Sequence, residues 1–140
     1  MLRHYMPAKL PNKEQILKCP QGVSSYYYSL KNGTGIKFFE NKRECEQSKY
    51  YQNIANKSGL APKCWGSIYT EGFYGYYVEE VEMLHKLYSW KNIPRNIKRE
   101  IENLAKQLTE CCDTEVDWNY RNFGIDRFGN LVYVDFGDIF

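Results

Sequence analysis

Apolar residues recur at helical spacing in the last third of the chain. Pro94 suits the first turn of a helix. Beyond it, apolar side chains repeat every three or four residues, which predicts a long amphipathic helix built on Ile97, Ile101, Leu104, Ala105 and Leu108. An earlier helix is predicted to begin at Asn41, an N-cap residue with Glu44 three positions later, and to close at Gly59.

Runs of tyrosine and other strand-forming residues predict an antiparallel sheet. Residues 25–30 and 35–39 flank Lys31-Asn32-Gly33, a hairpin signal because Asn-Gly tolerates positive φ. A strand ending near Tyr69 is expected to pair with residues 74–78, and residues 14–19 are predicted as one more short strand. Strands and helices in this order indicate an α+β fold with a mostly antiparallel sheet.

Composition narrows the class of protein. The 140 residues suit one domain, 1–140, and 43% of them are hydrophobic. A net charge of +2 without a basic stripe argues against a nucleic-acid binder. We find no apolar run that approaches a membrane span of about 20 residues, and the N-terminus lacks a signal-peptide pattern. Five cysteines without a C-x-x-C pair indicate free thiols in a reducing cytoplasm and no zinc site.

The last quarter of the chain carries the chemistry. Asp117 is followed five residues later by Asn122, and Asp135 follows a short hairpin and opens Asp-Phe-Gly. An aspartate can orient a hydroxyl proton, and an asparagine and a second aspartate can hold Mg²⁺ against nucleotide phosphates. Asp135 directly follows an apolar run, and its carboxylate is costly to bury unless a cation or hydrogen bonds compensate it.

This segment resembles the catalytic loop and D-F-G of the protein-kinase-like superfamily, which includes aminoglycoside and choline kinases. The resemblance implies an N-lobe of about residues 14–82, an antiparallel sheet plus one helix. It also implies a much reduced C-lobe of about residues 83–140, with one long helix and the catalytic-loop hairpin. ATP and Mg²⁺ are the implied cofactors, with Asp117 as catalytic base and Asn122 and Asp135 as metal ligands.

Further site residues are implied by the same resemblance. Lys37 would be the strand lysine that contacts the α- and β-phosphates, the alternative being a lysine that points to solvent. Glu46 would pair with Lys37, because it shares a helix face with Tyr50 and Ile54 and is expected to point inward. Glu44 stays open as the competing partner, and a solvated surface charge is the other interpretation of Glu46.

Two more segments would contact the nucleotide. Gly22, Ser24 and Ser25 would form the phosphate-covering loop through backbone N–H groups and hydroxyls, although the fragment alone is an ordinary turn. Backbone groups near Glu79 and Val81 would hold the adenine at the linker between the lobes.

The chain also departs from the family. The resemblance stops at residues 138–140, without a substrate platform, and Glu115 and Val116 stand where the family has His and Arg. Apolar surface on the helix at 94–112 and on the terminal hairpin is therefore expected to be exposed, and to favour a homodimer or docking on another protein.

Two functions follow as hypotheses. The first is a minimal kinase that phosphorylates a protein hydroxyl or itself. The alternative is a nucleotide-binding or pseudokinase module that binds and regulates a partner protein. So compact a form of a large fold would suit a viral protein in the host cytoplasm.

Overall fold

The computed structural model describes residues 9–20, 25–113 and 119–135. Over these ranges the chain forms four α-helices, seven strands and two 3₁₀ turns, at Trp90–Asn92 and Tyr120–Asn122. The helices are α1 (Lys13–Leu17), α2 (Lys42–Lys57), α3 (Leu84–Leu87) and α4 (Arg95–Cys112). The strands are β1 (Tyr26–Ser29), β2 (Thr34–Phe39), β3 (Cys64–Thr70), β4 (Phe73–Glu79), β5 (Glu82–Met83), β6 (Phe123–Ile125) and β7 (Leu131–Tyr133).

The strands form two antiparallel sheets. The larger sheet has the order β1-β2-β4-β3, and the smaller sheet has the order β5-β6-β7. The α+β class is confirmed, with a four-stranded antiparallel sheet and few helices in the described ranges. The larger sheet ends at Glu79 and the smaller one begins at Glu82, so a short linker connects them.

Local turn chemistry explains the hairpins. Lys31 and Gly33 both adopt positive φ, and Asn32 Oδ1 accepts the Thr34 N–H at 3.1 Å. The hairpin lies where it was predicted, but Asn32 itself does not take positive φ: its side chain forms an Asx turn, and Lys31 and Gly33 are the left-handed residues. Between β3 and β4, Glu71 and Gly72 take the positive φ values that a tight turn requires.

Helix α2 begins and ends where the sequence predicts. The Asn41 side chain accepts the Glu44 N–H at 3.1 Å, and Gly59 has a φ of +74° just beyond the helix end. The face of α2 that turns inward is not the one expected, because its buried residues are Cys45, Ser48, Gln52 and Ala55.

The prediction of a strand over residues 14–19 is wrong, because residues 13–17 form α1. Asn12 and Gln15 form a capping box, in which each side chain accepts the backbone N–H of the other, at 2.9 Å in both cases. Both N–H groups at this helix start are thereby satisfied, which favours the helical turn. Ile16 then enters the core beneath the larger sheet.

Strand β2 is covered on both faces. Ile36 and Phe38 pack with Ile16 of α1 on one side of the sheet. Phe39 lies on the other side, in a cluster that includes Cys45 of α2. Side chains alternate between the two faces of a strand, so Lys37 lies on the α2 side together with Phe39.

A second core lies between the two sheets and the long helix. It contains Ala55 of α2, Leu104 and Leu108 of α4, and Phe123 and Tyr133 of the smaller sheet. The apolar face of α4 is thus packed, and the expected exposed apolar surface is not found on this helix. In the β6–β7 hairpin the large exposed apolar residue is Phe128 at the turn, 71% exposed.

The cysteines fill space in these cores. All five are free. Cys111 and Cys112 lie at the end of α4, with their Sγ atoms 3.8 and 4.0 Å from the Ile54 and Tyr51 carbonyl oxygens of α2. Burial raises the pKa of the Cys112 thiol to about 11, which keeps it protonated and unreactive at neutral pH. Separately, none of the helices in the described ranges is long and apolar enough to cross a membrane.

The packing of α4 yields a stability prediction. Leu108 is 0% exposed in the second core, so Leu108→Ala should lower the free energy of unfolding by roughly 2–5 kcal/mol. Leu87→Ala is the matched control, because Leu87 is 47% exposed and its truncation should cost less than about 1 kcal/mol. Urea denaturation measures both. Equal losses for the two variants would contradict the assigned core.

Candidate functional site

The β6–β7 hairpin places two of the predicted residues beside each other. Phe123 pairs with Tyr133 in the antiparallel register, which puts Asn122 opposite Val134. The Val134 N–H donates to the Asn122 carbonyl oxygen at 2.8 Å. Asp135 is the next residue, so Asn122 and Asp135 emerge at the same edge of the smaller sheet.

Lys37 reaches this edge from the larger sheet. Its side chain is 9% exposed, and its ammonium group donates a hydrogen bond to the Val134 carbonyl oxygen. The interpretation of Lys37 as a solvent-facing strand lysine is therefore wrong. One residue, Val134, is hydrogen-bonded to both Lys37 and Asn122: its carbonyl oxygen accepts from Lys37 and its N–H donates to the Asn122 backbone carbonyl, directly before Asp135. Three residues that are distant in sequence are thus brought together.

Glu46 does not take part in this arrangement. Its side chain is 68% exposed, and its Oε1 lies 4.0 Å from Lys42 Nζ, one helical turn earlier. The predicted inward orientation of Glu46 is wrong because the buried face of α2 is offset from it. Tyr50, expected on the same inward face, is also exposed. Glu44 lies in the first turn of α2 next to its N-cap.

The α2 residue that meets Lys37 is Gln52. Lys37 Nζ lies 3.4 Å from Gln52 Oε1, which also accepts the Tyr76 hydroxyl at 3.1 Å. The Tyr76 hydroxyl and Ser48 Oγ are 2.7 Å apart. Gln52, Tyr76 and Ser48 were not identified from the sequence. The available signal was the spacing of Cys45, Ser48, Gln52 and Ala55 along one helix face.

Electrostatics place Asp135 near this buried group. Burial raises the pKa of the Tyr76 hydroxyl well above its usual value, while the hydrogen bond with Ser48 lowers it. The negative forms of Cys64, Cys45 and Asp135 raise it further. Tyr76 is the register partner of Lys37, so the residue whose pKa the Asp135 charge raises is directly opposite Lys37 in the sheet.

The residues at this edge fit a hard divalent cation. The Asn122 side chain is buried, and its Nδ2 has no hydrogen-bond partner among the residues that the structure describes. Exchanging the two ends of this amide would present an oxygen at the same place. Asp135, one residue beyond Val134 at the same sheet edge, would add carboxylate oxygens, and amide and carboxylate oxygens are the ligands that Mg²⁺ prefers. In the described ranges, no cluster of three or more His, Cys, Asp or Glu residues is suited to a metal ion.

The linker between the sheets contains the predicted adenine contacts. The Glu79 N–H donates to the Lys63 carbonyl at 2.9 Å, and the Glu80 N–H donates to the Gly33 carbonyl at 2.9 Å. These two amides are already used by the protein. Val81 packs against Gly124, where an added Cβ would lie 2.6 Å from Val81 Cγ2. This close approach brings the linker against β6.

Several predicted residues lie outside the described ranges, namely Gly22, Ser24 and Asp117, together with Phe136 and Gly137. Ser25 is described, half-buried, directly before β1. The Tyr27 N–H donates to the Pro20 carbonyl at 3.0 Å. This bond joins the two sides of the segment that contains Gly22.

No family model matches the sequence, and no curated protein matches it. Among solved structures, the chain is similar to WbdD, determined in a co-crystal with the kinase inhibitor LY294002, at 16% identity and a TM-score of 0.46. The match covers 86% of this chain and 32% of WbdD, so the chain spans about a third of that protein's length.

The exposed position of Glu46 yields a second prediction. Glu46→Gln should change the free energy of unfolding by less than about 0.5 kcal/mol, because solvent-exposed ion pairs contribute little. Lys42→Met removes the other partner of the same ion pair and should have an equally small effect. Urea denaturation of both variants measures this. A loss above about 3 kcal/mol in Glu46→Gln alone would be typical of a broken buried ion pair and would support the pairing of Glu46 with Lys37.

Proposed function

We propose that this protein is a minimal phosphotransferase that uses Mg²⁺-ATP to phosphorylate a hydroxyl group of a protein or of the chain itself. The observation that supports the proposal is the backbone of Val134, whose carbonyl oxygen accepts from Lys37 and whose N–H donates to the Asn122 backbone carbonyl, directly before Asp135. A cationic amine, an amide and a carboxylate at one sheet edge supply the groups that a nucleotide triphosphate and its metal require.

Each residue has a proposed role. The Lys37 ammonium binds oxygens of the ATP phosphates, and Asn122 and Asp135 hold Mg²⁺. When bound, Mg²⁺ neutralises charge on the phosphates. Backbone groups near Gly22, Ser24 and Ser25 cover the phosphates. Val81 is preferred over Glu79 for the adenine contact, since the Glu79 N–H is already used.

The proposed transfer is a direct displacement. The acceptor oxygen forms a bond to the γ-phosphorus while the bond from that phosphorus to the β–γ bridging oxygen breaks, and ADP leaves. The proton of the acceptor hydroxyl passes to the Asp117 carboxylate. Catalysis then depends mainly on positioning and on stabilisation of charge. Glu46 has no role in this scheme.

A second candidate is a nucleotide-binding module without transfer activity, which acts by binding and regulating a partner protein. Glu115 and Val116, in place of the family's His and Arg, favour it. The two candidates share the nucleotide site and differ only in chemistry. One set of variants therefore separates them.

Nucleotide binding is tested by thermal unfolding. Mg²⁺-ATP at about 100 times its Kd should raise Tm by roughly 10 °C. Lys37→Met should abolish most of this shift, because it removes the cation that meets the phosphates. Lys42→Met, a matched change on the exposed face of α2, should leave the shift unchanged. An absent shift in the wild-type protein at millimolar Mg²⁺-ATP would contradict both candidates.

Phosphoryl transfer is tested with radiolabelled ATP, generic protein substrates and the chain itself. Asp117→Ala should reduce transfer by about 100-fold or more while the Mg²⁺-ATP thermal shift is retained, since this carboxylate acts on the acceptor. Transfer that persists in Asp117→Ala would remove Asp117 as the base. A wild-type shift without any transfer would support the binding module instead.

A further inference from the structure

A buried chain of hydrogen bonds runs from α2 to Lys37. It begins with Ser48 Oγ and the Tyr76 hydroxyl, 2.7 Å apart. It continues from the Tyr76 hydroxyl to Gln52 Oε1 at 3.1 Å, and Lys37 Nζ lies 3.4 Å from the same oxygen. Ser48, Gln52 and Tyr76 are all buried. Buried polar groups are costly unless they are hydrogen-bonded, so this chain restricts the positions of its members.

Gln52 fits this place as a neutral amide. Its Nε2 donates to the Pro62 carbonyl oxygen at 3.0 Å, while its Oε1 accepts from Tyr76 and Lys37. An ionised glutamate has only acceptors, and it would set an oxygen against the Pro62 carbonyl. The surroundings of residue 52 therefore match a glutamine, because they offer an acceptor on one side, the Pro62 carbonyl oxygen, and two donors on the other, Tyr76 and Lys37.

We propose that Gln52 is the positioning residue for Lys37, the role that the sequence suggested for a helix glutamate. Resting on the proposed function, this inference assigns Gln52 to hold the ammonium group where the nucleotide phosphates bind. Tyr76 and Ser48 orient the Gln52 amide and do not touch the nucleotide. Gln52 of α2 and Val134, just beyond β7, then each give Lys37 a neutral oxygen as a hydrogen-bond acceptor.

The first test observes the Lys37 ammonium directly, without nucleotide. Lysine ammonium signals in ¹H–¹⁵N NMR spectra are visible when burial and hydrogen bonds slow proton exchange. The wild-type protein should show one such signal that Lys37→Met removes. Gln52→Met should shift it or broaden it beyond detection. Gln107→Met, an exposed glutamine of α4, is the control and should leave the signal in place.

The second test measures function. Gln52→Met should weaken Mg²⁺-ATP binding and lower kcat/KM by about tenfold or more, as expected for a lost hydrogen bond to a charged group. Gln52→Glu should also fall below the wild-type protein in Mg²⁺-ATP binding and in kcat/KM, because a glutamate has no N–H to donate to the Pro62 carbonyl oxygen. Tyr76→Phe, a milder variant that keeps the ring, should move the Lys37 signal and binding in the same direction as Gln52→Met.

The outcomes separate this inference from the proposed function. If the wild-type protein shows the Lys37 signal but binds no Mg²⁺-ATP, the proposed function is contradicted. The role of Gln52 in nucleotide binding is then contradicted as well. Nucleotide binding and a Lys37 signal that are both unchanged in Gln52→Met and Tyr76→Phe would overturn the role of Gln52 alone. Full activity in Gln52→Glu would overturn the argument for a neutral amide.

Discussion

Lys37 lies on a strand that is covered on both faces, so its charge is buried. A buried ammonium group is stable only where oxygen atoms accept its hydrogen bonds. One of those oxygens belongs to Gln52 of α2 and another to Val134, just beyond β7. Satisfying this group therefore requires α2, the larger sheet and the terminal hairpin to meet at one point. The same requirement brings Asn122 and Asp135 to Lys37.

The larger and smaller sheets are joined along a second line as well. The chain passes from β4 through Val81 into β5, and Gly124 of β6 allows Val81 to approach closely. The core below contains residues of α2, α4 and the smaller sheet. Linker, core and Lys37 contact together give the sheet edge a defined geometry, which a site that acts by positioning needs.

Local patterns predicted much of the fold and part of the site. The Asn-Gly turn, the Asn41 cap and the apolar repeat through α4 were sufficient to predict a hairpin and two helices, because each pattern depends only on residues close together in the chain. The spacing of Asn122 and Asp135 across a hairpin also indicated their proximity. The strand predicted over residues 14–19 is wrong, because Asn12 and Gln15 form a capping box that starts helix α1 there. Glu46 was misplaced because the helix buries a polar face and exposes Tyr50.

The sequence by itself determined the backbone conformations that single residues set, such as the left-handed φ at Gly33 and the helix start at Asn41. Tertiary structure alone decided which face of α2 turns inward and which oxygen atoms accept hydrogen bonds from the Lys37 ammonium group. Ser48 and Gln52 are favourable inside because Tyr76 and Lys37, from two strands of the sheet, and the Pro62 carbonyl satisfy their hydrogen bonds. Side-chain polarity along one helix cannot reveal partners that the packing of distant strands brings into contact.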